Sequence, residues 1–553
     1  PDSFLGHVRK FARYSYIYPR PCEERDAFSP SGCVGDGRIP SCTGEETDGA
    51  LAACDRGEVG TPAREGGGYG VGSQQHWSPS EGSSSSTGAG YHKASSTADY
   101  SAEGGNGRHE NPVPQGIGMP LLEVGFSSVR FREGAVSTRS AAIQVATAQF
   151  PELGELSWPE RGSNAELTSL LLQAGKHKVT RPPSNLIEAC NRLIDRYPKI
   201  QADPNLKYWD ELAIKKRILE IMKLEVKREA SPGVPFAALA VTNGALFDCA
   251  TNTVLNCAYE RLKLLAGTAD ISKASAVDLV EQGYCDPVRL FVKQEPHSRR
   301  KMRQRRYRLI SSVSVVDQII ERLLFGPQNR LEIALWSEIP SKPGMGLSLQ
   351  HQAQKLYSDL RMKHSTQKAA CADISGFDWS VQEWEFEAEL YMRLKLMEPS
   401  LVGNPALERA VRNRFACFSL SVFQLSDGTL IAQTIPGIMK SGSYLTSSMN
   451  SRIRCLMAEL IGSPWCIAMG DDSVEGYVEG APEKYSALGH TCKEYSLCPT
   501  TLEGDLETVE FCSHHISQER TYLLTWPKTL FRYLSTKSPH FEELKAELGT
   551  CPQ

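Results

Sequence analysis

Apolar residues are sparse and unspaced over the first hundred or so positions and then fall into regular rows. From Pro21 to about Pro114 the chain is rich in Gly, Ser, Pro and acidic residues, with EGSSSSTGAG at 81–90. Too little apolar surface is available there to offset chain entropy, so this stretch reads as disordered. His76, His92 and His109 fall inside it and read as solvated side chains. Order is expected from near Pro120. Ser184, following Arg-Pro-Pro, reads as the cap of a helix with Leu186, Ile187, Cys190, Leu193, Ile194 and Tyr197 on one face. A second helix is expected from about Tyr208, with the stripe Ile214, Ile218, Ile221 and Met222. A third begins near Val315, carries Val316, Ile319, Ile320, Leu323 and Leu324 inward, and should stop at Gly326-Pro327. All three stripes read as core packing.

Two later apolar runs are short and end in carboxylates. Lys368–Ser380 (KAACADISGFDWS) places Asp373 and Asp378 five apart, and an extended chain would release Asp373 at a strand end. Trp465–Val478 (WCIAMGDDSVEGYV) reads as strand, tight turn, strand, with Gly470, Asp471 and Asp472 at the tip. Adjacent carboxylates repel unless a cation sits among them, so a hairpin tip beside Asp373 would give Asp373 and Asp471 one shared metal site. A bare Gly-Asp-Asp turn is also an ordinary solvated turn, so the order of the other segments must decide. Between the two runs lies Ser441–Asn450 (SGSYLTSSMN), in which Thr446 and Asn450 would share a helix face. Trp379, Trp384 and Phe386 read as core.

Three further segments stand out. Ser231–Phe236 (SPGVPF) has two prolines about a glycine and reads as a fixed, extended loop. Residues 293–308 (KQEPHSRRKMRQRRYR) carry Lys293, Arg299, Arg300, Lys301, Arg303, Arg305, Arg306 and Arg308 against one acid, Glu295. Such a run is also a generic RNA-binding or nuclear-localisation patch. The apolar residues after Arg308 instead suggest a strand. The glycine-rich SKPGMGLS at 341–348 lacks a nucleotide-binding fingerprint and reads as structural.

Composition narrows the class. At 553 residues with 41% hydrophobic content the chain can bury a large core. The net charge of −4 is uneven: residues 1–115 hold 10 Lys and Arg against 15 Asp and Glu, leaving 51 against 50 elsewhere. A nucleic-acid enzyme tolerates that balance when its cations line one channel. The 16 cysteines form no Cys-x-x-Cys pair and read as free thiols of a reducing compartment. His490, Cys492, Cys498, Cys512, His514 and His515 could be counted as a zinc cluster, but their spacing is irregular. No run reads as a transmembrane segment or signal peptide, and the start at Pro1 suggests a piece of a longer translation product. Residues 1–20 interleave Arg9, Lys10, Phe11, Arg13, Tyr14, Tyr16, Tyr18 and Arg20, which suits single-stranded RNA or the end of an upstream domain.

The order Asp-x4-Asp, Ser-Gly-x3-Thr-x3-Asn, Gly-Asp-Asp and then a lysine resembles the palm of viral RNA-dependent RNA polymerases. The wording SPGVPF, FVKQEP, ADISGFDWS, AMGDDS and LGHTCKEY is similar to sobemovirus polymerases and their polerovirus relatives, over roughly residues 180 to 530. The resemblance implies an α+β right-hand polymerase with an antiparallel palm sheet, mainly helical fingers and a small helical thumb. The expected layout is a disordered N-terminal region at 1–115, fingers at 116–365, palm at 366–515 and a short or truncated thumb at 516–553. It implies RNA-directed RNA synthesis by two-metal nucleotidyl transfer on Mg²⁺, with Mn²⁺ able to substitute. Asp373, Asp471 and Asp472 would hold metal, and Lys493 would protonate the departing pyrophosphate. Asp378, Thr446 and Asn450 would check the ribose, behind a flexible Ser441-Gly442 loop. Lys293, Arg306 and Arg308 would hold the triphosphate, with Glu295 orienting an arginine. Ser231, Gly233 and Pro235 would guide template, and Phe511, Cys512 and Ser513 would grip the primer end. Implied partners are template and product RNA, NTPs, a genome-linked protein primer and other replicase proteins, with membranes met only through them. The implied location is the host-cell cytoplasm, at viral replication complexes. Two rivals remain. Reverse transcriptases share the carboxylates, but Asn450 and the Gly-Asp-Asp spelling oppose that reading, because those enzymes must exclude the 2′-hydroxyl. An RNA-binding scaffold with a dead site is opposed by the full set of carboxylates and Lys493.

Overall fold

The computed structural model describes residues 121–132 and 141–535. The expectations for residues 1–20, the polar stretch with its histidines, and the last eighteen positions lie outside them. Strand β1 (Leu121–Phe126) and helix α1 (Ala141–Gln149) lead to β2 (Leu156–Ser157) and α2 (Ser163–Ala174). Helices α3 (Leu186–Ile194), α4 (Glu211–Leu224), α5 (Asn243–Ala266) and α6 (Ala276–Glu281) follow. Then come β3 (Val288–Val292), β4 (His297–Ser298), α7 (Arg299–Arg303), β5 (Leu309–Ser312), α8 (Val315–Ala334) and α9 (Gln350–Thr366). Next are β6 (Ala369–Ile374), α10 (Phe377–Ser380), α11 (Glu383–Leu401) and α12 (Pro405–Ser419). Strands β7 (Val422–Gln424) and β8 (Thr429–Gln433) precede α13 (Thr446–Ile461). The hairpin β9 (Cys466–Met469) and β10 (Asp472–Gly476), helix α14 (Ala481–Ala487) and β11 (Cys492–Leu497) follow. The described chain ends with β12 (Thr508–Phe511), β13 (His514–Ser517), β14 (Thr521–Leu523) and α15 (Trp526–Ser535).

The content is mixed helix and sheet. A four-stranded antiparallel sheet runs in the order β11-β6-β10-β9. A five-stranded sheet runs β1-β8-β7-β3-β5, parallel only between β3 and β7. Its strands come from both sides of the boundary expected at 365/366, because β7 and β8 return across α12 to pair with β3 and β1. The region expected to be mainly helical therefore shares a sheet. Strands β12, β13 and β14 form a third sheet.

The second expected helix is α4, and its buried residues are Ile214, Ile218, Ile221 and Met222. It starts at Glu211 because Asp210 Oδ1 accepts the Ala213 N–H at 2.7 Å, a standard N-cap. The first expected helix differs in detail. It begins at Leu186, with Asn185 at the N-cap making no side-chain bond, and Ser184 is exposed. Ile187 is 46% exposed, since the buried stripe centres on Ala189, Cys190, Leu193 and Ile194.

Helix α8 does not stop at Gly326-Pro327 but runs through Pro327 to Ala334. A proline inside a helix loses one backbone bond. The second half of α8 is held by buried polar partners instead: Gln328 Oε1 accepts from Arg393 at 2.7 Å, and Glu332 pairs with Arg452. The principal core gathers α4, α5, α8, α11, α12 and α13 through residues such as Ile218, Leu262, Leu323, Phe415 and Met449. Trp384 and Phe386 lie in it, while Trp379 joins the core beneath the five-stranded sheet. At the far end of the chain, Phe531 of α15 packs with Ile143, Leu153, Leu156 and Trp158, so α15 closes onto α1. Among the described residues no helix is long and apolar enough to cross a membrane.

Candidate active site

Strand β6 ends as its residue order dictates. Ala369, Ala370, Ala372 and Ile374 are buried, and Asp373 leaves on the open side. The β9–β10 hairpin pairs Met469 with Asp472, leaving Gly470 and Asp471 as a two-residue turn. Gly470 has φ +66°, which glycine adopts without strain. Because β10 lies beside β6, the hairpin tip and the end of β6 meet at one edge of the sheet. Asp472 reaches solvent at its edge, yet the surrounding protein pushes its carboxyl up to about 6, and Asp471 and Asp373 add to the shift. The Cys512 thiol, hydrogen-bonded to that carboxylate, opposes it.

Lys493 is brought to the same edge from β11. The β6–β11 register shifts between Cys492 and Glu494, so Lys493 is the extra residue of a bulge. Its ammonium donates to Asp373 Oδ2 at 2.5 Å, and this bond raises its pKa.

Asp378 lies on α10, just past β6. Asn450 Nδ2 donates to Asp378 Oδ1 at 2.8 Å. Burial lifts the Asp378 carboxyl to about 7; Asn450 opposes the shift, and Asp471 adds to it. The Asn450 side-chain oxygen is buried and has no hydrogen-bond partner among the described residues. Thr446 shares the helix with Asn450, but its hydroxyl donates to the Lys440 carbonyl at 2.6 Å. The Ser441-Gly442 loop is tied down rather than free: Ser441 Oγ accepts the Ser311 N–H at 3.1 Å. A Cβ on Gly442 would stand 2.3 Å from the Ser311 carbonyl oxygen. Gly442→Ala is therefore expected to push the loop off β5 and cost about 1–3 kcal/mol, read as a lower urea midpoint at unchanged slope.

The basic run is not one strand. Its centre forms the short helix α7, capped by Ser298, and only Lys293 and Arg308 continue the β3–β5 ladder, with Lys293 N–H donating to Arg308 O at 2.8 Å. Ser298 still pairs with Leu156 of β2, and its hydroxyl then caps the helix by accepting the Lys301 N–H, so extended pairing ends there. Glu295 holds both flanking cations, Lys293 at 3.0 Å and Arg308 at 2.9 Å. The Arg308 charge reaches Asp378 and weakly opposes the rise of its pKa. The Arg306 charge acts on Lys176 and, together with that of Arg308, on Lys301.

The 231–235 loop packs against the start of α8. Gly233 has φ +71°, its absent Cβ would meet Ser314 Cα at 2.9 Å, and Pro232 O accepts the Val315 N–H. Ser231 and Pro235 are half-buried at its rim. Phe511 is buried, and Cys512 and Ser513 form the left-handed turn of the β12–β13 hairpin beside Asp472.

The imagined zinc cluster is dispersed. His490 lies between Ser380 and Glu385, Cys498 faces Cys371, His514 bonds the Cys512 carbonyl, and His515 stacks on Tyr522. Among the described residues no group of three or more His, Cys, Asp or Glu is gathered closely enough to hold an ion. The three carboxylates share one sheet edge but are not drawn onto a common point in this conformation, with Asp373 engaged by Lys493.

Sequence reading passed over several residues here. Buried His297 joins the Glu295 carbonyl at 2.8 Å to the Arg308 N–H at 3.0 Å, so Nδ1 donates, Nε2 accepts, and the ring is neutral. Lys528 of α15 adds charge beside Glu295 and Arg308. Arg300 is near enough to oppose the Lys493 proton. His297 carried a signal, as a histidine between the glutamate and the arginines, and Arg300 stood in the basic run; Lys528 carried none.

A family model described as viral RNA-directed RNA-polymerase matches residues 139–526. The chain is 57% identical over 438 residues to the replicase polyprotein P2AB of Southern bean mosaic virus, covering 79% of this chain and 45% of that protein. It is 53% identical to the P2AB protein of Cocksfoot mottle virus over 441 residues, 78% of this chain and 46% of that one. Protein P1-P2 of Potato leafroll virus is 37% identical over 396 residues, 66% of this chain and 35% of its own length. The chain thus spans under half the length of the curated relatives it matches.

Proposed function

The chain belongs to the viral RNA-directed RNA polymerase family, and on that premise we propose that it copies an RNA template into RNA for a positive-strand virus. The observation that carries the reading is the meeting of Asp373, Asp471 and Asp472 at one sheet edge with Lys493. In this reading the four-stranded sheet is the palm, the five-stranded sheet and the helices before it belong to the fingers, and α15 begins a small thumb.

The donor set suits a hard divalent cation. All three groups are carboxylates, and their mutual repulsion is partly met by one ammonium. Bound by Asp373 and Asp471 with Asp472 beside them, Mg²⁺, or Mn²⁺ in its place, would acidify a primer 3′-hydroxyl and stabilise the leaving pyrophosphate. Lys493 exchanges Asp373 for the departing pyrophosphate and gives it a proton. Lys293 and Arg308, spread by Glu295, hold the triphosphate, and Arg306 serves its approach. Ser231, Gly233 and Pro235 border the template path, while Phe511, Cys512 and Ser513 support the primer end. Ser441 and Gly442 fix the start of the ribose-reading segment, and Thr446 braces it. A genome-linked protein primer and other replicase proteins are the proposed partners, at replication complexes in the host cytoplasm.

Asn450 decides which sugar is used. Its buried oxygen, without a partner among the described residues, can accept a ribose hydroxyl, and Asp378 sits beside it. A site built to bond a hydroxyl rejects the sugar that lacks it. Asn450→Ala is expected to reduce the preference for rNTP over dNTP by about tenfold or more, measured in competition on one template. The reading itself is tested by primer extension on a homopolymeric RNA template with Mg²⁺. Template-dependent product made from rNTPs supports it. Equal use of dNTPs favours a reverse transcriptase, and RNA binding without synthesis favours a scaffold.

A further inference from the structure

Asn450 and Ser451 are consecutive on α13 and bond in different directions. Asn450 grips Asp378. Ser451, fully buried, accepts the Gly470 N–H at 2.8 Å and donates to the Ser447 carbonyl at 2.7 Å. Gly470 opens the hairpin turn, and Asp471 is the next residue. Nothing lies within 4 Å of where a Cβ on Gly470 would stand, so packing does not hold the tip on that side. One turn along α13, buried Arg454 donates to Ser473 Oγ and pairs with Glu475 at 3.5 Å, securing β10 below the tip. The tip itself has the Ser451 bond at Gly470 and, from the β12–β13 turn, the Cys512 thiol on Asp472.

We propose that Ser451 is a positioning residue that sets where the Asp471 carboxylate stands relative to the Asp378–Asn450 pair. Ribose choice and carboxylate placement are then fixed by one helix. The inference rests on the polymerase reading and deepens it. A serine suits the task because its hydroxyl spends its proton on the helix carbonyl, leaving lone pairs for the Gly470 N–H. Alanine would keep the helix, being the better helix former, and would leave that N–H without its acceptor.

The test uses the full chain with Ser451→Ala and Ser451→Cys, the latter near-isosteric with a poorer acceptor. Ser451→Ala is expected to lower kcat about tenfold while KM for NTP stays within about twofold, because the reacting groups are displaced and not the triphosphate contacts. The rNTP preference should fall with kcat, and Ser451→Cys should lie between alanine and the natural residue. Mn²⁺ binding without nucleotide, followed by the electron paramagnetic resonance of the free ion, should weaken in the same order at a nearly constant thermal midpoint. Unchanged kcat, sugar preference and Mn²⁺ affinity in Ser451→Ala would overturn the proposal. So would losses that merely track a fall in folded protein. If the unaltered chain makes no RNA, the polymerase reading fails, and the Mn²⁺ titration still decides the role of Ser451.

Discussion

Asp471→Asn is expected to lower nucleotide incorporation by on the order of 10³-fold or more, about 4 kcal/mol of barrier, without loss of folded protein. Asparagine has the same shape and tolerates turns, so the Gly470–Asp471 corner should persist. What disappears is one negative charge at the hairpin tip. That charge raises the pKa of both Asp472 and Asp378, so the carboxylates work against one another in the folded chain. Removing it should leave the thermal midpoint unchanged or slightly higher while synthesis is lost. Such a split is expected where a site holds like charges together for chemistry rather than for stability. Single-nucleotide extension and thermal melting on one preparation check both halves. A rate within tenfold of the unaltered chain would remove Asp471 from the chemistry.

The parts of this arrangement that were legible in the sequence are those that follow a short-range rule. The hairpin at Gly470-Asp471 is a turn signal between two apolar runs, and Asp373 is the polar exit of a strand whose inner face is alanine and isoleucine. The α4 stripe was legible because its four apolar positions repeat at helical spacing on a capped segment. Where the reading failed, a distant partner overrode the local rule. Proline at 327 is a stop signal only when nothing beyond it is anchored, and Gln328 and Glu332 are anchored by residues 65 and 120 positions away. The Ser441-Gly442 loop looked free because β5, which holds it, is remote in sequence. The basic run looked uniform because charge counts do not reveal a Ser298 cap. Lys493 was found by its place after Gly-Asp-Asp, but the bulge that delivers it depends on the register between β6 and β11.

The hardest features to read were the charges inside the core, and they give the second large expected effect. Arg452→Met should destabilise the folded chain by about 3–5 kcal/mol. Arg452, next to Ser451 on α13, is fully buried. Its guanidinium clasps Glu389 through two bonds of 2.7 Å, pairs with Glu332, and lies over the Tyr197 ring at 5.4 Å. Arg393 completes the group, bonding Glu389, Gln328 and Ser448. Two cations thus balance two carboxylates where water cannot reach. Methionine fills similar volume but leaves Glu332 and Glu389 to share Arg393, so one buried carboxylate loses its counter-charge. Adding Glu332→Met restores the balance, and the double variant should recover most of the lost stability. Non-additivity in that cycle, measured by urea unfolding, separates charge imbalance from lost packing. If the two single losses simply add, the cluster acts through shape and not charge. Because the same guanidinium joins α13 to α8 and α11, its loss should also loosen the helix that carries Asn450 and Ser451. Incorporation by the folded fraction of Arg452→Met should then fall further than its stability alone predicts.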